Sequence, residues 1–250
     1  LSSAAPGSAA VIFTNGSAWK FVLGTAEASS PVEAWRAVEF DDSGWSNGLA
    51  PIGYGEPEIV TALPSSAIAG YTSLYLRKTF LLQDTSLIDE LELTLWVDDG
   101  AVVWLNGIEL GRTNVPAGQL PFNAVASAAP SQFYPYTILV QTGGLPALAS
   151  ALRPGTNVLA VHLFNSSLSS SDLFLDGMLS VYQADQTPPT IVSVQPPPGS
   201  RLTALTEITV WFSEPVSGVN ATDLRINGAA ATEVIQDGQA YRFLFGQPAS

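Results

Sequence analysis

Six acidic side chains stand where the chain is set to turn. They are Asp41 and Asp42 before Ser43-Gly44, Asp98 and Asp99 before Gly100, and Asp172 and Asp176 after a serine-rich run. Loop carboxylates and carbonyls are the donors a calcium ion takes, six to eight oxygens at a time. Asp41, Asp42, Asp172 and Asp176 are the metal-ligating candidates. Asp also closes turns through its own backbone, and turn closure is the preferred reading of Asp98-Asp99-Gly100 and of Asp41-Asp42. No EF-hand spacing is present.

A second chemistry is sugar binding. The C–H faces of a sugar pack on aromatic rings, while its hydroxyls need paired donors and acceptors. Trp35, Trp45, Tyr54, Tyr71 and Tyr134 fall in expected loops or loop ends and are the carbohydrate-binding candidates. The competing reading is that Trp35 and Trp45 pin a long first loop to a sandwich edge, because large aromatics are mostly buried. Arg77 and Arg112 could fork a hydroxyl pair; ion pairing with Glu92 or Glu109 is the commoner fate.

Catalytic patterns are missing. The sole histidine, His162, sits inside the apolar run Val158 to Phe164. There is no Gly-x-Ser-x-Gly motif and no Gly-rich phosphate loop opening a helix. The acids carry no glycosidase-like spacing. The expectation is a chain with no reaction centre.

These residues need a scaffold, and the stretch Glu90 to Arg112 specifies it. Leu91, Leu93, Leu95 and Val97 alternate with Glu90, Glu92, Thr94 and Trp96, the period of a strand with one buried face. Asp98-Asp99-Gly100 breaks the run and predicts a tight turn. Ala101 to Leu105 is a second apolar run. Asn106-Gly107 then predicts a hairpin, since a type I′ turn needs positive φ at both central residues. Leu74 to Leu82 and Gln132 to Val140 read as further strands, with Pro135 marking an edge or a bulge. Asn157 to Phe164 is apolar on both faces, as a strand between two packed layers should be. Gly53 and Gly55 predict positive φ or close backbone approach.

Hydrophobic residues make up 46% of the 250 and charged ones 12%, so a sizeable core is expected rather than disorder. With 21 Gly and 18 Pro, the composition favours a loop-rich β protein. The net charge of −13 argues against nucleic acid and against anionic membrane surfaces. The absence of cysteine excludes disulfides and thiolate metal sites. No run reaches the roughly 18 apolar residues of a membrane helix. The sequons at Asn15, Asn165 and Asn220 matter only in a glycosylating host.

The ordered set Trp19-Lys20-Phe21, FDDSGW (40–45), GYG (53–55), YLRKTF (75–80), VDDGAVVWLNGIELGR (97–112), PGTNVLAVHLFN (154–165) and LFLDGMLSV (173–181) resembles the galactose-binding-like jelly roll. That module is the non-catalytic sugar-binding domain of family 2 glycoside hydrolases, and it recurs in very large exported bacterial proteins. The resemblance covers residues 18 to 182. It implies an eight-or-so-stranded sandwich, often with a structural calcium, used for carbohydrate binding or scaffolding. After Pro188-Pro189, the segments ITVWFSEPV (208–216) and DLRING (223–228) are similar to bacterial Ig-like domains. Only 64 residues follow Gln186, against about 100 for an Ig-type sandwich. An incomplete Ig-like domain is therefore expected, either as a fragment or completed by a strand from a neighbouring chain.

The expected organisation is all-β. Residues 1–17 form an N-terminal lead, 18–186 a jelly-roll β-sandwich, with Ala184 to Pro189 as linker, and 187–250 the incomplete Ig-like β-sandwich. The expected function is a non-catalytic structural or assembly module of a secreted or cell-surface bacterial protein, such as a fibre, surface layer or adhesin. Its partners would be other copies or other domains of a larger protein. The alternative is a carbohydrate-binding module of a secreted multidomain enzyme, with glycan as ligand.

Overall fold

The computed structural model describes residues 2–3, 9–144, 147–183 and 187–246, and it is built largely of strands. It forms two compact units. Strand β1 (Ser2–Ser3) belongs with the C-terminal residues, and the larger unit is Ala9–Gln183. Ala184-Asp185-Gln186 of the expected linker lies outside the described residues.

The larger unit holds β2 (Ala9–Phe13), β3 (Ala18–Leu23), β4 (Ser46–Leu49), β5 (Ile52–Tyr54), β6 (Thr61–Ala62), β7 (Ser73–Leu82), β8 (Ile88–Asp98), β9 (Gly100–Leu105), β10 (Ile108–Thr113), β11 (Tyr134–Gln141), β12 (Gly155–Phe164) and β13 (Leu173–Gln183). One sheet has the order β10-β9-β12-β7-β3-β4. The other has the order β11-β8-β13-β5-β6, with β2 also on β13. The sandwich therefore starts at Ala9, not at residue 18. Phe13 draws this first strand in, because its ring packs edge-on against buried Trp19 at 5.8 Å.

The core lies between the sheets. Leu91, Leu93, Leu95 and Val97 of β8 are fully buried, while Glu90, Glu92, Thr94 and Trp96 on the other face keep solvent contact. Each such buried side chain contributes about 1.5–3 kcal/mol. Asn106 and Gly107 take φ of 51° and 87° and join β9 to β10 as the hairpin expected. Pro135 is tolerated because β11 is an edge strand with β8 as its one neighbour.

The tight turn expected at Asp98-Asp99-Gly100 is instead a crossing between sheets. Strand β8 lies between β11 and β13, whereas β9 lies between β10 and β12. The Asp99 amide donates to Phe164 O at 3.0 Å, carrying the chain across to β12. A side chain at Gly100 would meet Asn114 O at 2.8 Å. The Asp98–Asp99 peptide bond is cis.

Strand β12 is buried on both faces. Leu159, Val161 and Leu163 enter the inter-sheet core. Ala160 and Phe164 join a second cluster, with Trp35, Tyr75, Val102, Trp104 and Ala126, on the outer face of the first sheet. Partly buried residues of two long connections, among them Phe40, Trp45, Leu120 and Phe122, pack onto that cluster.

The smaller unit continues with β14 (Ile191–Gln195), β15 (Glu207–Phe212), β16 (Val216–Ser217), β17 (Arg225–Ile226), β18 (Ala229–Ala230), β19 (Glu233–Asp237) and β20 (Ala240–Leu244). Among its described residues, beside the four-stranded sheet β14-β15-β20-β19 it has only two-residue pairs, β17 with β18 and β1 with β16. Val210, Val216, Tyr241, Phe243 and Phe245 form its own core.

Candidate functional site

The loop aromatics are used inside the fold. Trp35 sits in a 3-10 turn (Ala34–Arg36) and is only 1% exposed. Its ring stands edge-on to Tyr75 at 5.0 Å, Trp104 at 5.6 Å and His162 at 6.2 Å. The Arg36 guanidinium lies 4.0 Å from the Trp104 ring centroid, and its Nη2 donates to Gln119 Oε1 at 2.7 Å. The outer face of this sheet is apolar, and Trp35 is what covers it. Tyr54 is buried, its hydroxyl bonded to Ser66 Oγ at 3.0 Å and Ser170 O at 3.2 Å. Tyr71 is buried and donates to Pro64 O at 2.7 Å; burial raises its pKa. Three of the four leading sugar candidates, Trp35, Tyr54 and Tyr71, thus offer no ring face to a ligand. Trp45, 6.2 Å from Trp35, is half-buried. Tyr134 is half-buried, with its hydroxyl on Asp99 O at 2.9 Å.

The four metal candidates do not converge. Asp41 accepts from the Ser43 amide at 2.9 Å, the turn closure anticipated for it, and these Ser43 hydrogen bonds lower its pKa. Asp42 pairs with Arg77 Nε at 2.8 Å and Lys20 Nζ at 3.0 Å. Burial opposes ionisation of Asp42, but the hydrogen bonds and charges of Arg77 and Lys20 outweigh it and hold its pKa down. Arg77 itself is buried and also donates to Trp35 O and to Ala37 O at 3.0 Å. Arg77 thus pairs with Asp42 rather than with Glu92 or Glu109, whereas Arg112 makes the expected ion pair with Glu109 at 2.7 Å. Asp176 accepts from Asn15 Nδ2 at 3.0 Å, the Gly16 amide at 3.1 Å and the Gly177 amide at 2.7 Å, tying β13 to the β2–β3 turn.

Only Asp172 enters an acidic cluster, together with Glu56 and Asp98. One carboxylate oxygen of each lies within 4.8 Å of the others. The sheet order explains the meeting. Antiparallel β13 lies between β8 and β5, with Phe174 opposite Asp98 and Leu173 opposite Tyr54. The end of β8, the start of β13 and the end of β5 therefore share one edge of the sandwich, with strands about 4.8 Å apart. Gly55, at φ +90°, lets the β5 end close down, since a Cβ there would sit 2.3 Å from Ser171 O. Asp98 is 1% exposed, and neither of its carboxylate oxygens has a hydrogen-bond partner. Burial first, then the adjacent Asp99, then the charges of Asp172 and Glu56, push the Asp98 carboxyl up to about 8. Asp99 accepts from the Ser166 amide.

Glu56 was not legible as a partner from sequence; the one signal is its place directly after Gly53-Tyr54-Gly55. Asn165 reads from sequence only as a sequon. It is fully buried, which closes it to glycosylation, and its Nδ2 donates to Tyr54 Oη at 2.7 Å, Ser66 Oγ at 3.0 Å and Asp172 O at 3.3 Å.

His162 is buried, and burial, then the nearby Arg36 charge, hold its pKa well below the ordinary value. Its Nε2 is 2.9 Å from Ser73 Oγ. The Ser73 hydroxyl donates to Phe122 O, which leaves its oxygen to accept from His162 Nε2–H. The ring stacks on Tyr75 at 4.0 Å. Among the described residues, no helix is long and apolar enough to cross a membrane.

No protein-family model matches the chain. No curated protein matches it in sequence. Solved structures similar to it include a beta-glycosidase from Bacteroides vulgatus, 18% identical with a TM-score of 0.40, the match covering 91% of this chain and 27% of that one. A Bacteroides uniformis beta-glucuronidase is 14% identical with a TM-score of 0.44, over 82% of this chain and 21% of that one. A beta-glucuronidase from Ruminococcus gnavus is 11% identical with a TM-score of 0.43, over 96% and 40%. The chain spans less than half the length of each.

Proposed function

We propose that this chain is a non-catalytic structural or assembly module of a secreted or cell-surface protein. The observation that carries this reading is the burial of Trp35 at the centre of the outer-face cluster. The long loop that a sugar-binding or catalytic site would use is folded down as a cover for the sheet. Tyr54, Tyr71 and His162 are likewise used in internal packing and hydrogen bonds. Export rests on the resemblance of residues 18 to 182 to modules of exported bacterial proteins.

Partnership with other copies or domains is supported by the smaller unit. Strand β14 is an edge strand whose Ile191 and Val192 are 60% and 67% exposed. An unpaired edge is a template for another chain.

The carbohydrate-binding reading keeps one residue, half-buried Trp45. The purified 250-residue chain should give no signal on a glycan array and no turnover of glycosides, and sedimentation should show self-association. Turnover by the chain overturns the proposal. So does glycan binding that Trp45→Ala removes without lowering Tm.

A further inference from the structure

An ionised carboxylate taken out of water costs several kcal/mol unless a donor or a cation meets it. Asp98 would be such a group once ionised, with both oxygens buried and no partner. The nearby donors serve its neighbours: the Ser166 amide goes to Asp99 and the Ser170 hydroxyl to Asp172 Oδ1 at 3.2 Å. No ion pair among the described residues reaches Glu56, Asp98 or Asp172. A second oxygen at this edge is also left over. Asn165 Oδ1 is buried and without a partner, while its amide nitrogen is held by Asp172 O.

We propose that Glu56, Asp98 and Asp172 bind a calcium ion that staples the ends of β5, β8 and β13. The donor set is all oxygen, and neither histidine nor cysteine belongs to the cluster, which selects a hard cation over zinc or copper. Calcium accepts six to eight oxygens in irregular arrangements, whereas magnesium demands a near-ideal octahedron and retains its waters. Three carboxylates on three separate chain segments suit the larger ion. Asp41, Asp42 and Asp176 are already satisfied by amides and cations and take no part. This site is independent of the scaffold reading above.

The test is calorimetric titration of the whole 250-residue chain with calcium chloride after chelator treatment and dialysis, alongside thermal melts. One calcium per chain should bind. At a hundredfold excess over Kd, the larger unit should melt about 5–10 °C higher. Magnesium should bind more weakly. Asp98→Asn should weaken calcium binding at least about 100-fold while melting, without calcium, at or above the temperature of the calcium-free wild type, because it removes a carboxyl group whose ionisation burial and the neighbouring acids oppose. Asp176→Asn, outside the cluster, should keep its calcium-dependent shift. Asp172→Asn serves as the second variant if Asp98→Asn does not fold. A folded wild-type chain showing neither heat nor a Tm change in millimolar calcium overturns the proposal, as does a calcium shift that survives both Asp98→Asn and Asp172→Asn.

Discussion

Arg77→Met should be the most damaging single change on the outer face of the first sheet. Arg77 is buried in the middle of β7 and joins three things: the Asp42 carboxylate, the carbonyls of Trp35 and Ala37, and the Phe40 ring 5.2 Å away. Methionine keeps the volume and removes every donor. Asp42 is then left with Lys20 alone, and the two carbonyls lose their partner. Removing one member of a buried ion pair costs about 3–5 kcal/mol. For a unit of this size that lowers Tm by about 6–20 °C. Asp42→Asn leaves Arg77 its carbonyl partners and should cost about 1.5–3 kcal/mol. Lys20 is much more exposed than Arg77, and Lys20→Met should cost no more than about 1 kcal/mol. Urea unfolding followed by tryptophan fluorescence reads this directly, since five of the six tryptophans lie in the larger unit. The Arg77→Met and Asp42→Asn losses should fall short of additivity in the double variant by about 0.5–3 kcal/mol. The Asp42 pKa is depressed on folding, so its contribution is present above about pH 4 and fades as pH falls through the lower folded value. An Arg77→Met loss below about 1 kcal/mol, or fully additive losses, would refute this account of the loop.

Two further outcomes follow from the same geometry. His162 is held neutral by burial, so the unfolded chain takes up the proton first; stability should be level above about pH 6.5 and fall below it by up to about 1.4 kcal/mol per pH unit, while His162→Gln flattens the slope between pH 7.5 and 5 in urea midpoints. Gly55→Ala places a Cβ at positive φ and 2.3 Å from Ser171 O, so it should cost at least about 1 kcal/mol in thermal melts, and an unchanged Tm would count against the close packing of β5 on Asp172.

Much of the scaffold can be read from local pattern. The alternation in β8, the Asn106-Gly107 hairpin and the doubly apolar β12 are all consequences of side-chain period and turn chemistry within a few residues. Gly53 and Gly55 are legible as points of positive φ or close approach, but what they approach, Leu173 O and Ser171 O, lies far along the chain. The site is another matter. Asp41-Asp42 and Asp98-Asp99 look alike in sequence, as pairs of acids before a turn. One pair is closed by Ser43, Arg77 and Lys20, while in the other Asp98 is left with carboxylates for neighbours.

That difference comes from partners far along the chain. Asp42 meets an arginine 35 residues away, and Asp98 meets Asp172 because β13 pairs with β8 across more than seventy positions. Local sequence states which faces are apolar and where the chain turns, since those depend on near neighbours. Whether an acid finds a cation, an amide or another acid depends on which strands lie side by side, and only the closed sandwich decides that.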